Sequence, residues 1–93
     1  LRQYPRKLRL IRLCSDAENW DEAALAAHSL KNVAGAVGAE AARRLAGQLE
    51  DQLRRRDAEA AHETGMALKH ALDEAAAAVR RSRPTTPDDA PQA

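Results

Sequence analysis

The chain has 93 residues, of which 44% are hydrophobic, 31% charged and only 2% aromatic, and its formal net charge is +1. With 22 alanines and few of the residues that strands prefer, this composition excludes a β-sandwich or barrel and predicts an all-α domain. The near-neutral charge argues against nucleic acid or an anionic membrane as a partner. The lone Cys14 excludes an internal disulfide or a cysteine-based metal cluster.

The first two predicted helices are marked by the residues that open and end them. Pro5 stands at the opening turn of a helix that should run to about residue 18, because a missing N–H costs nothing there. Its apolar positions recur at helical spacing: Leu10, Leu13, Cys14 and Ala17. Asn19 is expected to cap a second helix, with Glu22 completing a capping-box-like pair, and Gly38 is expected to end it.

Two further helices complete the predicted architecture. The third, over about residues 39–55, places these apolar residues on one stripe: Ala42, Leu45, Ala46, Leu49 and Leu53. Asp57 can cap a fourth over about residues 58–81, with an apolar stripe at Ala61, Gly65, Leu68, Leu72, Ala75 and Val79. Short links imply antiparallel neighbours, so we predict an antiparallel up-down four-helix bundle over residues 1–81. Residues 82–93 are polar and Pro-rich and predict a disordered tail.

The second helix carries a histidine on its outward face. At 100° per residue, its apolar residues form a stripe centred on Leu30, and His28 lies about 160° from that residue. The stripe consists of Ala23, Ala26, Ala27, Leu30, Val33, Ala34 and Val37. The neighbours of His28 on this outward patch are Leu25, Lys31, Asn32 and Gly35. A neutral exposed imidazole is nucleophilic, and a nearby ammonium can neutralise a negatively charged group on it, which is what phosphoryl acceptance needs. By spacing alone, however, most exposed helical histidines are simply solvated surface.

The segment from His28 to Ala39, followed by Leu45 and by Leu49-Glu50, resembles the histidine phosphotransfer (Hpt) domain family. The family pattern reads His-x-Leu-Lys-Gly, then Gly-Ala ten residues after the histidine, here Gly38-Ala39, then Leu and Leu-Glu on the next helix. The resemblance extends over about residues 5–81. It implies a bacterial phosphorelay intermediate built on a four-helix bundle.

The resemblance also implies roles for individual residues. His28 would accept a phosphoryl group from a receiver-domain aspartate and pass it to the aspartate of another receiver, while Lys31 steadies the group. Gly35 and its small neighbours would leave space for the receiver, and Mg²⁺ would belong to the receiver, so no cofactor is expected here. Asn32 stands where the family usually has glycine, so its side chain could crowd the receiver or hydrogen-bond the imidazole.

Other kinds of site fit the sequence less well. The dimerisation helix of histidine kinases has an acidic residue after its histidine and a proline five positions on, where this chain has Ser29 and Val33. We therefore expect a phosphocarrier without autokinase activity. His62 and His70 lack further converging ligands, so no metal site is expected. The basic run at residues 54–56 closes a helix, where cations interact favourably with the negative end of the helix dipole. It is therefore not taken as a nucleic-acid site.

Two alternatives stay open at this point. One is an all-α interaction module of a signalling protein in which His28 is never phosphorylated, and the other is a free-standing phosphotransfer protein. The main expectation is a cytoplasmic module of a hybrid sensor histidine kinase, since the chain opens at Leu1 rather than at a methionine. The parent could be anchored in the bacterial inner membrane, whereas the module itself is expected to be monomeric and to make no direct membrane contact. No apolar run approaches the ~20 residues that cross a bilayer, and no signal peptide is visible.

Overall fold

The computed structural model describes residues 4–82, and side chains as far as residue 79. It consists of four helices, α1 (Tyr4–Asp16), α2 (Trp20–Ala36), α3 (Glu40–Arg54) and α4 (Ala58–Ser82), with no strand in this part of the chain. The predicted all-α four-helix architecture is confirmed. The predicted disordered tail lies outside the described residues from residue 83 onward.

The three links between helices share one geometry. Glu18, Gly38 and Arg56 each have a positive φ, of 62°, 75° and 61°. After each of them, the next N–H donates to the carbonyl five residues earlier, from Asn19 to Cys14, Ala39 to Ala34 and Asp57 to Gln52. This is the Schellman ending, which satisfies carbonyls at the end of the helix and turns the chain sharply. The predicted helix end at Gly38 is confirmed. At the other two helix ends, Glu18 and Arg56 adopt a positive φ that normally favours glycine.

The second and third helices run antiparallel, as three facing positions show. His28 faces Glu50, the side chain of Lys31 lies against Gly47, and Gly35 lies against the side chain of Arg43. Residue numbers rise along α2 while those of their partners fall along α3. The first helix packs against α2 and α4, and α3 packs against α4, which closes the bundle.

The core is thin and depends on a few leucines set among alanines. The largest fully buried side chains are Leu30, Leu49, Leu53, Leu68 and Leu72. Buried alanines fill most of the rest, at positions 23, 24, 26, 27, 34, 42, 46 and 61. Because alanine adds so little volume, the helices can approach closely. Most of the predicted stripe of α2 is confirmed, but Val33 is only half-buried and Val37 is exposed beyond the end of the helix.

The predicted apolar stripe of α1 is partly wrong. Leu10 and Leu13 are exposed, and Ala17 is exposed beyond the end of the helix, whereas Ile11 and Cys14 are buried. The inward face of this helix also includes two partly buried residues packed on the core, Tyr4 and Leu8. Tyr4, Leu8 and Ile11 recur at spacings of four and three, so α1 has a second apolar stripe next to the predicted one. Packing against α2 and α4 selects between the two.

The two predicted caps have different outcomes. At the start of α4, Asp57 Oδ1 accepts a hydrogen bond of 3.2 Å from the backbone N–H of Ala60, as expected. Asn19 does occupy the N-cap position of α2, but in the described part of the chain its side chain makes no capping hydrogen bond. The predicted side-chain cap at Asn19 is therefore wrong. The acidic residues Asp21 and Glu22 nonetheless lie in the first turn, where they favour the helix dipole.

Candidate functional site

His28 lies on the outward face of α2, as the helical wheel predicted. Its side chain is 47% exposed, while Leu30, two residues on, is fully buried. The predicted neighbours form a patch around it: Leu25, Asn32 and Gly35 are exposed, and Lys31 is half-buried. Leu25 is the most exposed apolar residue of this patch, at 63%. The structure thus brings together all five residues singled out in the sequence.

A carboxylate from the neighbouring helix holds the histidine ring. Glu50, on α3, places Oε1 3.2 Å from Nδ1 of His28, and its side chain is only 14% exposed. Its second oxygen, Oε2, accepts a hydrogen bond of 3.0 Å from Nη2 of Arg54. Burial raises the pKa of Glu50, but the hydrogen bonds from Arg54 and His28 outweigh that effect and hold the pKa below its usual value.

This contact determines which ring nitrogen of the neutral His28 side chain keeps a free lone pair. An ionised carboxylate can only accept hydrogen bonds, so the Nδ1 that it contacts must carry the proton. In the neutral imidazole the lone pair then lies on Nε2. Among the described residues, Nε2 has no hydrogen-bond partner. The exposed ring therefore presents Nε2 as a nucleophilic nitrogen, and the contact of Nδ1 with Glu50 fixes the tautomer of the ring.

Two cationic side chains lie across the surface between α2 and α3, each against a glycine of the opposite helix. A Cβ at Gly47 would lie 3.5 Å from Cδ of Lys31, and a Cβ at Gly35 would lie 3.2 Å from Cδ of Arg43. The side chain of Arg43 is also paired with Glu40 on its own helix. Gly35 thus has a role that the sequence did not reveal, because its missing side chain accommodates the methylene groups of Arg43.

Sequence reasoning missed the acceptor behind the ring. The family pattern includes Glu50 without a role for its side chain, and nothing in the sequence marks Gly47 or Arg54 as parts of the site. The antiparallel arrangement of α2 and α3 is the feature that indicates this contact, because Glu50 follows the buried Leu49 and faces α2. Local periodicity places a residue on a face of its own helix, but it does not reveal which residue of the next helix faces it.

The other histidines lie elsewhere and assemble no comparable site. His62 and His70 are both exposed on α4. His70 Nε2 lies 3.8 Å from Glu74 Oε2, one turn further along the same helix. Within residues 4–79, no group of three or more histidine, cysteine or acidic side chains is arranged to hold a metal ion. The described helices also include none that is long and apolar enough to cross a membrane.

The fold and the site together define a helical bundle that displays a histidine oriented by a carboxylate. The family model of the Hpt domain matches residues 2–81, and the chain belongs to the histidine phosphotransfer domain family. Comparison with curated proteins and comparison with solved structures each gave no match. Domains of this family act in two-component phosphorelay signalling and interact with receiver domains.

Proposed function

We propose that this domain is an intermediate of a phosphorelay in which Nε2 of His28 carries the phosphoryl group between two receiver domains. The observation that supports this most directly is the 3.2 Å contact between His28 Nδ1 and Glu50 Oε1. It leaves the lone pair on Nε2, in a side chain that is 47% exposed. The neighbouring patch of Leu25, Asn32 and Gly35 is then the surface on which a receiver docks.

The chemistry of the transfer follows from this tautomer. The Nε2 lone pair attacks the phosphorus of an aspartyl phosphate, the bond from phosphorus to the aspartate oxygen breaks, and a free aspartate carboxylate leaves. The imidazole gains positive charge as the new N–P bond forms, while the proton stays on Nδ1. Because Glu50 is negatively charged and already bonded to that proton, it stabilises the charge that develops on the ring. The reverse sequence returns the phosphoryl group to the aspartate of a second receiver.

Lys31 supplies the cation in this proposal. It lies three residues after His28, within one turn on the same side of α2, so its ammonium can reach a phosphoryl group on the ring. Phosphoryl transfer depends mostly on positioning and charge neutralisation, and both are provided by side chains on two rigid helices. We propose that the domain itself holds no cofactor and that the Mg²⁺ of the reaction belongs to the acidic pocket of the receiver.

The proposal is tested by transfer from a phosphorylated receiver. The domain is mixed with a ³²P-labelled receiver and Mg²⁺, beside His28→Gln and the matched control His70→Gln, which alters another exposed helical histidine. Acid-labile, base-stable label should appear on the parent domain and on the control, and be absent from His28→Gln. If several receivers leave the parent domain unlabelled, the phosphocarrier proposal fails, and an interaction module without phosphorylation takes its place.

We also propose that the domain has no autokinase activity and works in the cytoplasm as part of a hybrid sensor kinase. The first point is supported by Ser29, which stands where the histidine kinase dimerisation helix has an acidic residue. Incubation with labelled ATP and no receiver should leave His28 unlabelled. The isolated domain is proposed to be monomeric, which light scattering across a concentration series would test.

A further inference from the structure

Arg54 connects to the proposed phosphoacceptor through one intermediate side chain. It lies one turn beyond Glu50 on α3, and its Nη2 donates to Glu50 Oε2 at 3.0 Å. The other oxygen of that carboxylate lies 3.2 Å from His28 Nδ1. Each carboxylate oxygen therefore has its own donor. The carboxylate itself is shielded, because Glu50 is 14% exposed whereas the side chains of Arg54 and His28 are 56% and 47% exposed.

The second donor limits how the carboxylate can move. A glutamate side chain has several rotatable bonds, and a single hydrogen bond to His28 leaves most of that freedom. With Arg54 bound to the second oxygen, the carboxylate cannot turn away from the ring without breaking a charge-assisted hydrogen bond. A carboxylate that is hydrogen-bonded to a histidine fixes both the tautomer and the orientation of the ring. A group that holds the carboxylate in place therefore influences the tautomer and the orientation as well.

We propose that Arg54 is a positioning residue for phosphotransfer, which holds Glu50 so that the proton of His28 stays on Nδ1 and Nε2 faces the incoming phosphoryl group. Arg54 acts through Glu50 and does not itself contact the phosphoryl group or the receiver. This inference rests on the proposed function of His28 as phosphoacceptor, although its effect on the tautomer is independent of any transfer.

The next residue provides a matched control. Arg55 is paired with Asp51 at 3.0 Å through the same four-residue spacing, and both side chains are well exposed. The two ion pairs are thus alike in type and adjacent in sequence. The difference is that the carboxylate of Glu50 also contacts His28, whereas Asp51 makes no further ion pair among the described residues. Replacing either arginine by methionine keeps most of the aliphatic chain, and at Arg54, the last residue of α3, it also keeps a strong helix former.

The first experiment measures the tautomer without a receiver. In ¹⁵N-labelled protein at pH 8, the ring nitrogen shifts of His28 distinguish the Nδ1–H from the Nε2–H form. The parent domain and Arg55→Met should both show a predominantly Nδ1–H ring. Arg54→Met should show a raised fraction of the Nε2–H form. Arg54→Lys should show a smaller rise in that fraction, because lysine can still donate to Glu50. An unchanged tautomer in Arg54→Met overturns the proposal, whether or not His28 transfers phosphate.

The second experiment asks whether Arg54 acts through Glu50. Arg54→Met should slow transfer from a labelled receiver by about two- to fivefold, the rate equivalent of one exposed ion pair, while Arg55→Met should leave the rate unchanged. In a Glu50→Met background, adding Arg54→Met should slow transfer no further. A full additional loss in that background would show that Arg54 contacts the receiver directly and would overturn the proposal. Circular dichroism of each variant verifies that the helices are intact.

Discussion

Gly47 on α3 lies directly against the aliphatic chain of Lys31 on α2, at a distance that would place a Cβ 3.5 Å from Cδ of the lysine. That is ordinary van der Waals contact, so an alanine fits at position 47 and a bulkier residue would displace the lysine. The aliphatic chain of Lys31, three residues after His28, is therefore placed by two helices, through its own position on α2 and through its contact with Gly47 on α3.

Lys31→Ala should slow phosphotransfer and leave the fold intact. Removing the ammonium takes away a charge that stabilises the phosphoryl group, so we expect the transfer rate to fall about a hundredfold. The matched control is Lys69→Ala, which removes a lysine that is paired with Asp73 on α4, and it should transfer at the parent rate. Circular dichroism should show unchanged helical content in both. If Lys31→Ala unfolds the domain, the assignment of Lys31 to the functional patch is wrong.

Asn32→Gly should leave transfer as fast as in the parent domain or make it faster. The side chain of Asn32 is exposed on the patch around His28, so its removal opens the approach of the receiver. Glycine in a helix costs a few tenths of a kcal/mol relative to asparagine, or roughly 0.5 kcal/mol at most. Asn32→Ala removes the same amide without that backbone effect and serves as the control. A marked slowing in both variants would show that the amide of Asn32 assists transfer.

The same substitution at two leucines of α2 should give opposite results. Leu30 is fully buried and Leu25 is exposed. Leu30→Ala should lower the free energy of unfolding by about 2–5 kcal/mol, because it opens a cavity in a thin core. Leu25→Ala should change stability by less than about 0.5 kcal/mol and weaken the binding of a receiver. Urea unfolding and a receiver titration measure the two effects, and a Leu25 variant with unchanged receiver affinity would exclude that residue from the docking surface.

The ion pairs of Glu50 should give the domain a specific acid sensitivity. Its pKa lies below the ordinary value of 4.5 because the hydrogen bonds from Arg54 and His28 outweigh the effect of burial. A lowered pKa means that the folded state binds this proton less tightly than the unfolded chain. The resulting stabilisation is present above pH 4.5 and is lost as the pH falls through the lower native value.

This sensitivity can be measured as a difference between variants. The free energy of unfolding is compared between the parent domain and Glu50→Gln from pH 7 down to pH 3. The free energy of unfolding of the parent domain should exceed that of Glu50→Gln at pH 7, and this difference should shrink as the solution is acidified. Glu63→Gln controls for the loss of an exposed carboxylate that has no ion pair among the described residues. If the difference in the free energy of unfolding stays constant down to pH 3, the hydrogen bonds from Arg54 and His28 do not lower the pKa of Glu50.

The two helix caps should differ in their contribution to stability. Asp57 accepts a hydrogen bond from the backbone of Ala60, so Asp57→Ala should lower the free energy of unfolding by about 1 kcal/mol. Asn19 occupies the same position in α2 without a side-chain hydrogen bond in the described structure, so Asn19→Ala should cost less. Thermal or urea unfolding of the two variants compares them directly. Equal losses would mean that Asn19 caps α2 in solution.

The sequence by itself determined the number, order and approximate ends of the helices, and the outward position of His28. These features depend on interactions within a few residues along the chain. The spacing of apolar residues defines each helix, Asp57 caps the helix that it begins, and Gly38 adopts the positive φ at which α2 ends. The direction of His28 follows from the 100° rotation per residue of an α-helix, which is fixed by backbone geometry.

The tertiary structure alone decided the features that depend on how one helix faces another. The first helix has two possible apolar stripes, and only its packing against α2 and α4 buries Ile11 and leaves Leu10 exposed. The contact of His28 with Glu50 joins residues 22 positions apart, and it depends on the register and spacing of two helices. Side-chain periodicity describes a single helix, whereas the tautomer of His28 is fixed by a carboxylate on its neighbour.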